Sequence, residues 1–352
     1  MNVKTNIKVA IAWHGMPTYA QAIINKLIKD GFNLNIISTK YNYCILDYKN
    51  VFINNIIIDE KKNYSWSELE LEVPQILFKT GWAYQGFNSL ANEVRRNGGM
   101  VVSLIDNSRK KNLRQFIGKY AFRILDRFKS EKYWVPGISG YKLLQYFGIK
   151  KNKIITGLYS ADTNIFGNDE PDCKKKKQIV FVGQLIDRKN VLKIIEAFLQ
   201  SKIFELGWSL LLVGDGPLRD QVARMINCNK SISYLGFGDP YLISDLLKVS
   251  KVLILASEED HWGVVVHEAV LSGCLVVANN NIGAVDDLLN SENSIILKDA
   301  SIKNIKLALI ELSKYEDDRW LNINNISINN SKFNSIYKWT KKFKEILSDY
   351  NI

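Results

Sequence analysis

Strand and helix signals alternate regularly along this chain. Short apolar runs at Lys8–Trp13 and Met100–Ile105 are typical of buried strands, while Tyr19–Lys29 and Ser89–Arg96 have the apolar spacing of helices. Strands that alternate with helices form a parallel sheet that is covered by helices on both faces. The sequence therefore predicts an α/β fold.

A second series of alternating strands and helices follows the polar stretch Phe166–Lys177 and begins with the strand Ile179–Val182. A chain of 352 residues is too long for one ordinary domain and can bury two separate cores. We therefore predict two α/β domains and a terminal helical segment. Their bounds are 1–166, 178–330 and 331–352.

Composition and spacing argue against several other classes of protein. No apolar run reaches the length of roughly 20 residues that spans a bilayer. The run Ile7–Trp13 lacks a cleavage site, so we expect no signal peptide. Without an export signal, the protein is expected in the reducing cytoplasm, where its cysteines stay free thiols. The widely spaced cysteines and three histidines suggest no metal site. No G-x-G-x-x-G follows the first strand, which disfavours a dehydrogenase. The run Lys174–Lys177 is expected to be a solvated linker.

The excess positive charge is confined to one segment. Residues 108–153 contain 13 Lys and Arg against 2 acids, which accounts for the whole net charge of +11. Within it, the apolar residues of Leu113–Phe128 follow helical spacing, and Lys119, Arg123 and Arg127 lie off that stripe. This basic amphipathic helix indicates an acidic partner, either anionic lipid or phosphate groups. The alternative is a solvated helix whose stripe packs on the sheet.

Three segments that follow predicted strands carry residues suited to a phosphate-bearing ligand. Phe181–Asn190 leads from a glycine to two basic residues before a helix, where an anion can bind. Leu211–Leu218 contains a glycine-rich turn that lets a ligand approach the backbone. In Ser257–Ala269, acids suited to sugar hydroxyls precede a helix whose first amides suit a phosphate. Each segment alone also has a purely structural interpretation.

Taken in order, these segments resemble the signature of the family 4 retaining glycosyltransferases, which have the GT-B fold. The family pattern runs G-R-L…K-G, V-G-x-G-P, L-G-F and E-x-F-G-x-x-x-x-E-A-M-A-x-G-x-P-V-V-A. The matching runs here are Gly183–Leu185 with Lys189-Asn190, Val213–Pro217, Leu235–Phe237 and Asp260–Ala278. The resemblance implies two Rossmann-like domains facing across a cleft, with the final helix returning to the first.

The resemblance also implies a donor site for a nucleotide sugar. Its candidate residues are Gly15, Gly183, Gln184, Arg188, Lys189, Gly214, Leu235, Phe237, Asp260, His261, Trp262, Gly263, Val264, Val265 and Glu268. Lys189 and the helix amides would stabilise the departing diphosphate. Glu268 would hold the ribose and Asp260 the transferred sugar, while the 235–237 turn would border the nucleobase.

The N-terminal domain would bind the acceptor, and its similarity to the family is looser. The candidate residues are His14, Asp106, Asn107 and Arg114. Asp106 ends a predicted strand, where ligands of such sheets gather, and is a catalytic candidate together with Lys189 and Asp260.

Two departures from the family pattern concern the donor site directly. In the family, an arginine and a lysine bind the diphosphate together. Gln184 stands in place of that arginine, and Arg188 could compensate for the lost charge. Asp260 replaces the first glutamate of the E-x₇-E pair, with Glu259 as an alternative occupant of that role.

The reaction implied by the resemblance is retaining transfer of a hexosyl-type group from a UDP- or GDP-linked donor. The acceptor would be a hydroxyl of a glycan or of a polyprenyl-diphosphate-linked glycan, as in lipopolysaccharide or O-antigen synthesis. No metal or other cofactor is expected, because positive groups and helix amides replace it. We expect a cytoplasmic protein, peripheral on the inner face of the cell membrane. No nucleic-acid reading motif is present.

Two alternatives of different classes remain. One is another enzyme on the same fold, either a nucleotide-sugar epimerase or hydrolase, or a phosphorylase whose cofactor lysine cannot be located. The other is a basic peripheral membrane-binding module without enzymatic activity.

Overall fold

The chain forms two compact units in the computed structural model. The residues described are 7–40, 55–109, 113–125, 129–168, 175–226, 229–331 and 335–350. Unit 1 contains Met1–Tyr159 and Ile336–Ile352, and unit 2 contains Ser160–Ser335. The end of the chain therefore belongs to the same unit as its beginning.

A seven-stranded parallel sheet forms the centre of unit 1. Its strands are β1 (Val9–Trp13), β2 (Leu34–Thr39), β3 (Asn55–Ile58), β4 (Ile76–Thr80), β5 (Met100–Leu104), β6 (Lys132–Val135) and β7 (Ile154–Thr156). They lie in the order β3-β2-β1-β4-β5-β6-β7. The strand order reverses between β1 and β4, and ligands of open α/β sheets bind at the carboxyl ends of strands that flank such a point.

The helices of unit 1 include one from the end of the chain. They are α1 (Thr18–Lys29), α2 (Gln85–Arg96), α3 (Leu113–Ile124), α4 (Ile138–Tyr146) and α13 (Ile336–Tyr350). Trp339 of α13 stacks on Trp134 with 4.4 Å between ring centroids, and Phe343 stacks on Phe78 at 4.9 Å. The Trp339 indole nitrogen also donates to the Leu158 carbonyl at 2.9 Å. Helix α13 thus completes the core of unit 1.

Helix α3 exposes the apolar stripe seen in the sequence. The side chains that are between 51% and 74% exposed are Leu113, Phe116, Ile117, Tyr120 and Ile124. Of the large apolar residues of this helix, only Phe122, which lies on another face, is buried. The interpretation in which the stripe packs on the sheet is therefore wrong. The Arg123 side chain and residues 126–128, including Arg127, lie outside the described part.

Unit 2 contains a six-stranded parallel sheet. Its strands are β8 (Lys176–Val182), β9 (Ser209–Val213), β10 (Ile232–Tyr234), β11 (Ser250–Leu255), β12 (Leu275–Asn279) and β13 (Ser294–Leu297). They lie in the order β10-β9-β8-β11-β12-β13. The reversal point of this sheet lies between β8 and β11, where Val252 pairs with Ile179 and Leu253 with Val180.

Helices cover the sheet of unit 2. They are α5 (Thr163–Phe166), α6 (Val191–Ser201), α7 (Arg219–Ile226), α8 (Pro240–Val249), α9 (Val264–Leu271), α10 (Val285–Leu288), α11 (Ile302–Leu312) and α12 (Asp317–Ser331). Lysines 175–177 are not a linker: the Lys175 ammonium donates to the Leu247, Ser250 and Ser272 carbonyls, and the other two begin or continue β8. Lysine's three donors suit this capping of carbonyl groups.

The predicted fold class, two parallel α/β domains, is confirmed. Helices cover both faces of each sheet, so neither face is exposed to solvent. The strands are therefore near-continuous apolar runs and do not alternate apolar with polar residues. The short strands β6, β7 and β13 were not predicted as strands, since three or four residues carry little periodic signal. Within the described ranges, no helix combines the length and the apolar character needed to cross a bilayer.

Candidate functional site

The reversal point of the unit 2 sheet brings two predicted segments together. The loop Gly183–Asn190 follows β8, and the loop Ala256–Gly263 follows the neighbouring strand β11. Parallel strands end at the same edge of a sheet, so both loops emerge side by side at the carboxyl edge. This is the position in which doubly wound sheets bind ligands.

Hydrogen bonds hold these two loops against each other. The Glu258 amide donates to the Arg188 carbonyl at 2.8 Å, and the Asn190 side-chain amide donates to the Ala256 carbonyl at 2.8 Å. Asn190 has left-handed backbone geometry, with φ of 54°. Asparagine tolerates this conformation better than most residues do, which explains its place between the short 3₁₀ turn Asp187–Lys189 and helix α6. The two loops therefore form one structured surface.

The central charged contact of this surface joins Lys189 and Asp260. The Lys189 ammonium donates to the Asp260 carboxylate, and only 11% and 18% of these side chains are exposed. Arg188 adds a second cation, with its guanidinium 4.0 Å from the same carboxylate and donating to the Glu259 carbonyl. The structure thus brings together three residues that were predicted from two separate segments.

Asp260 is fixed by its own backbone. Its amide donates to the Asn281 carbonyl at 3.1 Å, and its carbonyl accepts from the Gly283 amide at 3.0 Å. These bonds form an isolated parallel bridge to the segment that follows β12. The position of the carboxylate therefore follows from the sheet scaffold.

Three glycine turns lie beside this contact at the ends of β8, β9 and β10. The Gly183 amide donates to the Val213 carbonyl at 3.0 Å, and the Gly214 amide to the Gly236 carbonyl at 2.7 Å. A Cβ on Gly214 would lie 1.8 Å from the Gly183 oxygen, and its φ is 139°. No residue with a side chain fits there, so the close approach of these turns requires glycine.

Helix α9 begins beside the Asp260 loop. Its N-cap is Gly263, with φ of 79°, and a Cβ there would lie 2.8 Å from an Ile282 methyl group. The first amides of a helix, here those of Val264 and Val265, have no intrahelical acceptor and point along the positive end of the helix dipole. The start of α9 is therefore suited to an anion.

Glu268 lies one turn further along α9 and is partly exposed. Desolvation raises the pKa of its carboxyl to about 7, and no other group contributes to this shift. The charged form of a desolvated carboxyl without a compensating charge is stabilised by a ligand that donates hydrogen bonds to it. A vicinal diol is such a ligand.

The remaining donor candidates differ in accessibility. Gln184 is exposed, as are Leu235 and Phe237 at 48% and 58%. His261 is exposed, with Nδ1 3.7 Å from the Glu259 carboxylate. Trp262 is buried, so its side chain belongs to the packing of the loop and is not presented to solvent.

Unit 1 has its own cluster of polar groups where β1, β2 and β4 end. The His14 amide donates to the Thr80 hydroxyl at 2.9 Å, and the Gly15 amide donates to the Thr39 hydroxyl at 3.2 Å. The His14 Nδ1 atom lies 2.8 Å from the same Thr39 hydroxyl and 3.2 Å from the Glu60 carboxylate. The sequence did not predict Glu60, whose only signal is its place just after a predicted strand.

The other acceptor candidates lie after β5. The Asp106 carboxylate accepts from the Tyr159 hydroxyl at 3.2 Å, and Asn107 is next to it in a partly exposed loop. Arg114 is in helix α3, but its side chain lies outside the described part. Gly15, the one donor candidate outside unit 2, also lies in unit 1.

The geometry of unit 2 agrees with a comparison to known families. Residues 164–326 match the family model of the glycosyl transferases group 1. The chain is 24% identical over 181 residues to N-acetyl-alpha-D-glucosaminyl L-malate synthase of Bacillus anthracis, an alignment that covers 48% of this chain and 47% of the relative. The matched stretch thus spans about half the length of that curated relative.

Solved structures resemble the chain over nearly its whole length. HepE of Anabaena in complex with UDP and glucose has a TM-score of 0.74 at 14% identity, covering 98% of this chain and 100% of that chain. WaaG, a glycosyltransferase involved in lipopolysaccharide biosynthesis, has a TM-score of 0.65 at 11% identity, covering 96% and 99%. Residues 164–326 therefore resemble the glycosyl transferases group 1, in a chain with the GT-B fold.

Proposed function

We propose that this chain is a retaining family 4 glycosyltransferase that moves a hexosyl group from a nucleotide-diphosphate sugar to a hydroxyl of a glycan acceptor. The observation that carries the proposal is the arrangement of Lys189, Arg188, Asp260 and the start of helix α9 at the reversal point of the group 1 domain. HepE, whose complex contains UDP and glucose, favours a UDP-linked donor, with a GDP-linked donor as the alternative.

The charges of this site suit the departure of a diphosphate. The bond between the sugar anomeric carbon and the β-phosphate oxygen breaks, and the same carbon forms a bond to the acceptor oxygen. The acceptor proton passes to the departing diphosphate. Lys189, Arg188 and the first amides of α9 stabilise the negative charge that develops on the phosphate oxygens. These groups make a metal or other cofactor unnecessary in the proposed reaction.

We assign the remaining donor contacts to single side chains. Glu268 accepts hydrogen bonds from the ribose hydroxyls, and Asp260 accepts them from the transferred sugar. The exposed Leu235 and Phe237 border the nucleobase. The unit 1 candidates bind the acceptor: His14, Asp106, Asn107 and Arg114.

The test of this function is a ligand screen followed by product analysis. UDP, GDP and ADP are titrated into the full chain while thermal unfolding is measured, because a ligand at a hundredfold excess over Kd stabilises the native state by about 2.7 kcal/mol. The sugar derivatives of the nucleotide that binds are then incubated with glycan acceptors. Transfer with an unchanged anomeric configuration supports the proposal. Donor hydrolysis or epimerisation with no transfer to any acceptor would contradict it.

We further propose that the enzyme works on a lipid-linked acceptor at the cytoplasmic face of an anionic membrane. The apolar stripe of α3 is exposed. Two cations of the same basic segment, Arg109 and Lys119, both lie 4.9 Å from the centre of the Tyr146 ring. An exposed apolar helix face within a basic segment is typical of interfacial binding. The similarity to WaaG supports an envelope polysaccharide such as lipopolysaccharide or O-antigen as the product.

Liposome sedimentation tests the membrane proposal. Each Lys or Arg near an anionic surface contributes about 1 kcal/mol, a term that salt weakens. We expect the native chain to sediment with anionic vesicles at low salt and less at high salt. Ile117→Ser with Ile124→Ser should reduce the salt-resistant part of the binding, while Leu307→Ser, at an exposed site of unit 2, should not. Absence of binding to anionic vesicles at low salt would refute the proposal without affecting the transferase.

A further inference from the structure

In this structure the principal cation of the donor site is already paired. The Lys189 ammonium donates to the Asp260 carboxylate, and both side chains are largely buried. Arg188 is more exposed, at 43%, and lies at the outer limit of an ion pair with the same carboxylate. Gln184, where the family has arginine, brings no charge. The group best placed to bind a diphosphate therefore has a protein carboxylate as its partner.

The pair is built into the scaffold. Asp260 is held by backbone bonds to Asn281 and Gly283, and Lys189 ends the 3₁₀ turn that the 256–260 loop covers. The contacts that join the two loops therefore fix the backbone positions of both residues. A diphosphate that reaches Lys189 must approach Asp260 as well.

We propose that Asp260 is the counter-ion that the diphosphate replaces on Lys189, so that this residue limits how tightly the nucleotide diphosphate is held. The inference rests on the proposed function, and it adds a role to that of binding the transferred sugar. Asp260 keeps Lys189 in place when the donor is absent. It then lowers the affinity for the product and speeds its release after transfer.

The physical basis is an exchange of charge partners. A bound diphosphate is attracted to Lys189, and this attraction favours binding. Binding has two costs: part of the attraction between Lys189 and Asp260 is lost, and the diphosphate and the Asp260 carboxylate repel each other in a partly desolvated site. Replacing Asp260 by the isosteric asparagine removes both costs. The first cost exists only while the lysine is present, and this dependence distinguishes partner exchange from simple repulsion.

The experiment is a double-mutant cycle on binding to the full chain, measured by calorimetry. Its members are the native protein, Asp260→Asn, Lys189→Met and the double variant. The ligand is whichever of UDP, GDP and ADP the native chain binds, with the corresponding nucleoside as a control that lacks the diphosphate. Glu258→Gln is the matched control variant, because Glu258 lies two residues away and forms an exposed pair with Lys193 at 3.9 Å.

We expect Asp260→Asn to tighten diphosphate binding about tenfold, as for the loss of a close unfavourable charge contact. The tightening should be smaller in the Lys189→Met background, and nucleoside binding should not change. Glu258→Gln should stay within about twofold of the native affinity, since exposed pairs contribute little. If Lys189→Met abolishes measurable binding, stopped-flow release decides: Asp260→Asn should slow diphosphate dissociation by the same factor.

Unchanged or weakened diphosphate binding in Asp260→Asn would overturn the inference and leave the transferase proposal intact. Equal tightening with and without Lys189 would also overturn it, because simple repulsion would then suffice. If no nucleoside diphosphate binds any variant, the proposed function itself is refuted.

Discussion

At the scale of single residues, the proposed donor site has few positive charges to hold a diphosphate. Gln184 leaves Lys189 and Arg188 as the cations at the reversal point of the unit 2 sheet. Of the two, Lys189 is the more enclosed, and a charge acts more strongly where water is excluded. The chemistry of the site should therefore respond to this one lysine more than to any neighbouring charge.

Replacing Lys189 by alanine should lower turnover at saturating donor by roughly 10²-fold or more, as the loss of one preorganised charge stabiliser does. Lys193→Ala, a lysine four residues along whose pair with Glu258 is exposed, is the control. Steady-state kinetics on folded protein measure the effect. Near-native turnover of Lys189→Ala would remove the lysine from the proposed mechanism.

Glu268 should make stability depend on pH. Its pKa is about 7 in the folded protein against an ordinary value of 4.5, so the folded state binds more protons than the unfolded state between these values. The contribution of Glu268 to the free energy of unfolding therefore falls as pH rises from about 4.5 to 7. Glu268→Gln should remove this part of the dependence in thermal unfolding at several pH values, and the exposed Glu292→Gln should not. Identical pH profiles for native protein and Glu268→Gln would contradict the desolvated carboxyl.

At the scale of elements, strand ends and helix starts shape both units. The carboxyl ends of β8, β9 and β11 carry the glycine turns and the charged loops, and α9 begins at the same edge. In unit 1 the ends of β1, β2 and β4 carry His14, Thr39 and Thr80. Sheet order, more than sequence order, therefore decides which loops become neighbours.

The turn after β9 gives a test at this scale. Gly214→Ala would place a Cβ 1.8 Å from the Gly183 carbonyl oxygen, so the two turns must separate. Gly207→Ala is a matched control, because Gly207 also has positive φ but no atom lies within 4 Å of its Cβ position. We expect the control to cost about 1 kcal/mol of backbone strain and Gly214→Ala several times more. Denaturant unfolding measures both, and equal costs would show that the close approach is unimportant.

At the scale of the whole molecule, two separate cores carry separate parts of the proposed function. The helix at the end of the chain belongs to the core of unit 1, although unit 2 precedes it in sequence. The basic segment and the exposed α3 stripe also lie in unit 1. The proposed acceptor and membrane contacts are therefore assigned to one unit and the donor contacts mainly to the other.

Because the two cores are separate, a substitution in one core should destabilise that unit and leave the other unit folded. Trp339→Ala removes the stack on Trp134 and should cost unit 1 about 3–5 kcal/mol, as for other large aromatic truncations in cores. Tyr337→Ala, at a 72% exposed site of the same helix, should change stability little. Calorimetry should show an earlier transition for unit 1 in Trp339→Ala, while nucleotide binding by unit 2 persists. A single, unshifted transition would contradict the assignment of α13 to the core of unit 1.

The fold class, the order of the candidate donor motifs and the position of the basic amphipathic helix could be predicted from the chain alone. These features depend on local periodicity and on residues close together in the chain, such as the glycine turns and the start of α9. Three other features became visible only in the folded protein: Lys189 contacts Asp260 across a separation of 71 residues, Glu60 lies beside His14, and the α3 stripe faces solvent. Each of these depends on which strands are neighbours in a sheet and on what packs against a helix, and long-range contacts of that kind leave no periodic signal in the chain.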